Sequence, residues 1–172
     1  MNTSFLTQQY QYNGPKLSVL DCRKPFWDSE KTQPLGGCIK VELLYVVDGD
    51  TAVFLVDGDK ETVRFFIIDT PELRPNQQPY AVEAKLYLEE LFLDAKEIIL
   101  QSDIYDDLRD NTESKRLLAW VWVDGKLTNY QLVQAGYAKV RYVSSPHLKY
   151  LKSLISAEKK AKRLKINLHQ RS

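Results

Sequence analysis

Cysteine is scarce in this chain: among 172 residues there are two, Cys22 and Cys38. Two thiols exclude a disulfide-dense mini-protein, and with no His or Cys neighbour at metal-ligand spacing they exclude a zinc cluster. Whether they pair or stay reduced is left open. Glycine is sparse too, at seven residues, which excludes a collagen-like repeat. No run of about 18 apolar residues occurs, so no membrane-spanning helix is expected. The opening Met1 to Tyr10 has neither a basic nor an apolar region of the kind a secretory signal needs, and none is expected there. Leu35-Gly36-Gly37-Cys38 has the outline of a lipoprotein box, but Lys24, Asp28, Glu30 and Lys31 stand where an apolar stretch would be required, so lipidation is not expected. The compartment is therefore undetermined. The two histidines, His147 and His169, fall outside any cluster of ligand-type residues and are assigned no role.

What is present is the balance of a folded globular chain, 44% hydrophobic and 27% charged residues. The length suits one domain with an appended segment. A formal net charge of +1 conceals a strong asymmetry. Residues 139–172 carry ten Lys/Arg against one acidic residue, Glu158, while residues 1–138 hold 14 basic and 22 acidic residues. A basic tail suits a polyanionic partner, and acidic clusters in the body suit a cation; the plainer reading of the tail is a solvated amphipathic helix.

Residues 1–39 read as an extension, punctuated by Pro15, Pro25, Pro34 and Gly36-Gly37. Its aromatics Phe5, Tyr10, Tyr12, Phe26 and Trp27 are too many for a pure linker, so part of it is expected to pack on the domain. The domain itself is expected over 40–168, with 169–172 as a tail. Strands are expected at 40–47, 51–56 and 61–68, the last two joined by the turn Asp57-Gly58-Asp59, with further strands at 97–101, 116–123 and 139–143. An amphipathic helix is expected over 80–95, from Ala81, Ala84, Leu88, Leu91, Phe92 and Ala95. A second is expected from a Thr128-Asn129 cap to Gly136, and a third from Ser145-Pro146 to about 165. Short strands first and helices late give an α+β domain built on a small antiparallel barrel.

Chemistry gathers in four stretches. In Val47-Asp48-Gly49-Asp50-Thr51 the two aspartates point to one side of extended chain and repel unless a cation lies between them. Ile68-Asp69-Thr70-Pro71-Glu72 follows one hairpin later and can return to the same barrel end, so that Asp48, Asp50, Asp69 and Glu72 form an acidic cluster of hard oxygen donors. The other Asp-Gly-Asp, at 57–59, is read as a plain turn; an EF-hand is excluded because Thr62 stands where glycine is needed. Arg64 lies inside an apolar strand and Arg116 opens another. Taken singly each reads as an ion-pair partner. Together with a divalent ion and a free carboxylate they make a site for a phosphodiester, whose developing charge guanidinium groups stabilise while the carboxylate activates water.

With these stretches, and with Tyr80-Ala81-Val82-Glu83-Ala84, Arg116-Leu117-Leu118-Ala119-Trp120 and Asn129 through Val143, residues 40–168 resemble the staphylococcal nuclease family. The resemblance implies an OB-fold, a five-stranded antiparallel β-barrel with three α-helices. It implies a calcium-dependent nuclease acting on DNA and RNA, with one Ca²⁺ per active site and 3′-phosphate products. By position Asp50 and Asp69 match metal carboxylates, Thr70 a backbone-carbonyl ligand, and Asp48 a nearby acid that helps hold the metal and its waters. Arg64 and Arg116 match the phosphate-binding arginines, Glu72 the carboxylate held to be the general base, and Tyr142 a tyrosine of the nucleotide pocket. A monomer is expected. The chain departs from the family's best-known member at Glu113, Ser114 and Ser144, where that protein carries a lysine and two tyrosines, and its loop over 103–115 is more acidic. These departures bear on base stacking and affinity. The alternative is a catalytically weak module of the same fold that binds nucleic acid or protein.

Overall fold

The computed structural model describes residues 10–170. Phe5, the opening nine residues and Arg171-Ser172 of the tail lie outside them. The described residues form eight strands and three α-helices: β1 (Cys38–Asp48), β2 (Thr51–Val56), β3 (Asp59–Phe65), β4 (Ile68–Asp69), α1 (Ala81–Phe92), β5 (Ile98–Gln101), β6 (Leu117–Val123), β7 (Lys126–Leu127), α2 (Thr128–Gln134), β8 (Lys139–Val140) and α3 (Leu151–Arg163). The sheet runs β3-β2-β1-β5-β6, and β6 pairs in turn with β3, closing a five-stranded barrel. The closing pair is parallel, Arg64 opposite Leu118, whereas every other barrel pair is antiparallel. With three helices packed on it, this is the OB-type α+β fold the sequence predicts.

β1 is long because it serves two neighbours. Residues 38–41 pair with β5, and 42–48 pair with β2 through two register shifts that bend the strand around the barrel. The β2–β3 hairpin turns at Asp57-Gly58, both left-handed at φ 50° and 86°, as a two-residue turn requires. The core holds Phe54, Phe65, Phe66, Leu88, Leu100 and Trp120 at 2% exposure or less. Gln101 and Asp103 are hydrogen-bonded within it: Gln101 accepts from Trp122 Nε1 and the Tyr150 hydroxyl, and Asp103 accepts from Trp120 Nε1. The tryptophans are packing residues.

Four expectations need correction. The strand over 61–68 breaks at Phe66-Ile67: Ile67 adopts φ 49°, the Phe66 N–H donates to Ala119, and the chain leaves the barrel so that β4 pairs with β8. Thr128 and Asn129 do not cap α2. Both side chains turn to β6 instead, Thr128 Oγ1 donating to the Val121 carbonyl and Asn129 Oδ1 accepting the Val121 N–H. Asn129 Nδ2 also donates to the Phe66 carbonyl freed by the strand break. Ser145-Pro146 does not open α3, which starts at Leu151; Ser145 Oγ accepts the His147 N–H in a local turn. The final expected strand is also shorter, ending at Val140.

The segment before β1 packs on the barrel. Phe26 and Trp27 are buried, Tyr12 stacks edge-on against Tyr130, and Cys22 and Cys38 are joined in a disulfide. Gly37 is pressed against the Lys24 carbonyl and leaves no room for a side chain.

Candidate active site

The turn between β1 and β2 sets the first part of the site. Asp50 is buried and each of its oxygens accepts a hydrogen bond: Thr51 Oγ1 donates to Oδ1 at 2.9 Å, and the Thr70 N–H donates to Oδ2 at 3.0 Å. The second bond ties the turn to the chain just after β4. Gly49 permits this approach, since a Cβ there would lie 2.8 Å from both Thr70 and Ala84. Asp48 Oδ1 accepts the Asp50 N–H. Burial, and then the Asp50 charge beside it, push the Asp48 carboxyl up to about 7.

Arg64 reaches into this region from β3 with its side chain 12% exposed. Its Nη1 donates to the Phe65 carbonyl, and its Nη2 lies 3.3 Å from Asp50 and 4.0 Å from Asp69. A buried guanidinium flanked by two carboxylates is compensated and held in one orientation. Arg116, just before β6, is fixed differently: Asp110 accepts its Nε at 2.7 Å and its backbone N–H at 3.1 Å. Its two terminal nitrogens make no hydrogen bond to the described residues. Hydrogen bonds from Thr112 and Arg116 hold the Asp110 carboxyl below its ordinary range, against the opposing effect of its burial.

Arg64, Arg116, Asp48, Asp50, Asp69 and Glu72 all line one cavity of about 500 Å³, with Tyr142 at its edge. Thr70 is buried beside it and lines an adjoining cavity with Asp69. Glu72 is exposed, on the loop after β4, where its backbone N–H donates to Gln78 Oε1 at 2.7 Å. Tyr142, at φ 59° and 66% exposed, lies against the guanidinium groups of Arg64 and Arg141 at 5.9 and 5.4 Å.

The donors fit a hard divalent cation in kind: all are oxygens, two adjacent carboxylates disfavour each other's charge, and the buried Thr70 Oγ1 has no hydrogen-bond partner. Among the described residues, however, no three His, Cys, Asp or Glu side chains converge into a cage, so such an ion would complete its shell with water. Asp69 is instead shared by two arginines, and one of these the sequence reading missed. Arg141 Nη1 donates to Asp69 Oδ2 at 3.1 Å. Asp110 was likewise hidden, read as one acid among several in a charged loop. Its neighbours Asp106 and Asp107 also line the cavity.

The chain is similar to several known proteins. The family model described as Staphylococcal nuclease homologue matches residues 62–171. Endonuclease YncB of Bacillus subtilis (strain 168) is 38% identical over 137 residues, 78% of this chain and 63% of that protein. The SPbeta prophage-derived endonuclease YokF of the same organism is 39% identical over 133 residues, 76% of this chain and 44% of its own. The Thermonuclease of Staphylococcus hyicus is 31% identical over 130 residues, 74% of this chain and 73% of its own. The chain thus spans less than two thirds of the length of the two Bacillus relatives. By the family model over residues 62–171 and the 31% identity to a thermonuclease covered over 73% of its length, the chain belongs to the staphylococcal nuclease homologue family.

Proposed function

We propose that the protein is a nuclease that hydrolyses phosphodiester bonds of DNA and RNA with Ca²⁺, leaving 3′-phosphate ends. The observation that carries this reading is the pair of oriented arginines, Arg64 and Arg116, lining one cavity with Asp48, Asp50, Asp69 and Glu72. Relatives bearing the names endonuclease and thermonuclease support it.

In this reading Asp50, Asp69 and the Thr70 carbonyl hold the ion, with Asp48 steadying its waters. A bound Ca²⁺ would supply positive charge against the phosphate and order water near the phosphorus. The chain's own groups do the rest. Arg64 and Arg116 donate to the non-bridging oxygens, more strongly as charge builds on them. The Asp110 bond to Arg116 Nε leaves the terminal nitrogens of that fork for the phosphate. Glu72 accepts the proton of the attacking water as the new O–P bond forms and the P–O5′ bond breaks; the departing 5′ oxygen takes a proton from solvent. Tyr142 offers an exposed ring face to a base or sugar.

Plasmid and RNA digestion in Ca²⁺ and in EGTA tests this directly. Cleavage is expected in Ca²⁺ alone, with terminal phosphate on the 3′ side. Arg116→Ala and Glu72→Ala are each expected to lower kcat by about 10²-fold or more while the circular dichroism spectrum is unchanged. Tight oligonucleotide binding without cleavage would instead favour a binding module.

A further inference from the structure

A second cavity, of about 630 Å³, shares Asp69 with the cleft. Lys139, Arg141, Gln78, Asn167 and Gln170 line it, and Asp69 is its one acidic wall residue among those described. In β4–β8 register Lys139 stands directly opposite Asp69. Arg141 lies two residues further, so the two backbone positions are roughly 6.6 Å apart along one side of the extended chain.

Neither cation is used up. Arg141 spends Nη1 on Asp69, and its Nε and Nη2 make no hydrogen bond to the described residues, with the side chain 58% exposed. Lys139 is exposed and forms no ion pair with the described residues. A polynucleotide strand held at the cleft must leave it somewhere. The wall formed by Asp106, Asp107 and Asp110 repels it. The neighbouring cavity that shares Asp48 and Glu72 carries mixed charge, with Arg74 and Lys85 offset by Glu89. The Lys139–Arg141 groove is the cationic exit.

We infer that this groove binds the phosphates flanking the scissile one on a single strand, Arg141 bridging Asp69 and the first flanking phosphate and Lys139 meeting the next. The inference rests on the nuclease reading above. Arg141 then does two things with one guanidinium: it positions the Asp69 carboxylate and registers the strand. The Gln78 and Gln170 amides supply uncharged contacts to sugar and phosphate oxygens.

The experiment is fluorescence anisotropy with a labelled single-stranded decanucleotide and a dinucleotide, in EDTA, across a salt series. For the decanucleotide, Lys139→Gln, which leaves the Asp69 ion pair intact, is expected to reduce the slope of log K against log salt by ~0.7. Combined with Arg141→Gln the reduction is expected to reach ~1.4. The dinucleotide slope is expected to stay as in the wild type for Lys139→Gln. An unchanged decanucleotide slope, or an equal drop for both lengths, overturns the subsite. Failure of the nuclease reading looks different: the unsubstituted protein would then not cleave in Ca²⁺, whatever the salt slopes of the two oligonucleotides.

Discussion

Asp48 is a carboxylate whose charge is opposed by burial and by Asp50. Its folded pKa, raised to about 7 from an ordinary 3.8, means that the folded protein keeps a proton the unfolded chain has released. The stability this contributes is complete below the unfolded value and is lost as pH rises through about 7. Asp48→Asn keeps the acceptor for the Asp50 N–H and abolishes that loss. In EDTA, the urea midpoint of the wild type is therefore expected to fall more steeply than that of the variant between about pH 5 and pH 8. Parallel curves for the two proteins would refute this. At this scale the sequence was most informative where partners are close along the chain: Asp48, Gly49, Asp50 and Thr51 are consecutive, and turn chemistry alone aims them. Arg141 was illegible because its partner lies 72 residues away, across a strand pair of two residues. Asn129 was misread because a cap and a buried cross-link use the same side-chain amide.

Among the elements, the segment before β1 is the one that most resembles an accessory. Its aromatics predicted packing, and Phe26 and Trp27 are in the core. The pairing of its cysteines was not legible, since two thiols 16 residues apart fix no geometry until Gly37 lies against Lys24. None of the described residues before β1 lines the cleft. Stability and catalysis should therefore separate here. A disulfide closing a loop of this length contributes about 3 kcal/mol, which for a chain of this size is about 6–12 °C in Tm. Reduction with dithiothreitol is expected to lower Tm by that amount and to leave cleavage at 20 °C, or about that temperature, unaltered. A parallel loss of rate would tie the segment to the cleft. The strand break at Ile67 escaped the pattern because the run Val63 to Ile68 is uniformly apolar around Arg64; periodicity cannot mark a turn inside such a run.

Over the whole molecule, charge is separated as the sequence shows, and the fold partly stitches the halves together. Lys149 pairs with Asp21, and Arg141 with Asp69. Exposed Lys152, Lys159, Lys160, Arg163 and Lys165 on and just after α3 form no ion pair with the described residues. That field should steer polyanions, so stopped-flow association of an oligonucleotide is expected to slow by about tenfold or more from low to moderate salt. A salt-independent rate would place the field out of reach of the encounter. The barrel itself was legible from strand count and order; its parallel seam was not, because the partners are separated by more than 50 residues. That seam has a consequence for biosynthesis. Arg64 and Arg116 come to line one cavity only when β6 docks beside β3, so sealing the barrel and bringing the two guanidinium groups together are one event. A nascent chain whose residues beyond 116 are still inside the ribosome exposes the acidic turn and the first arginine yet has no second fork. Until that docking the cavity that gathers both guanidinium groups does not exist.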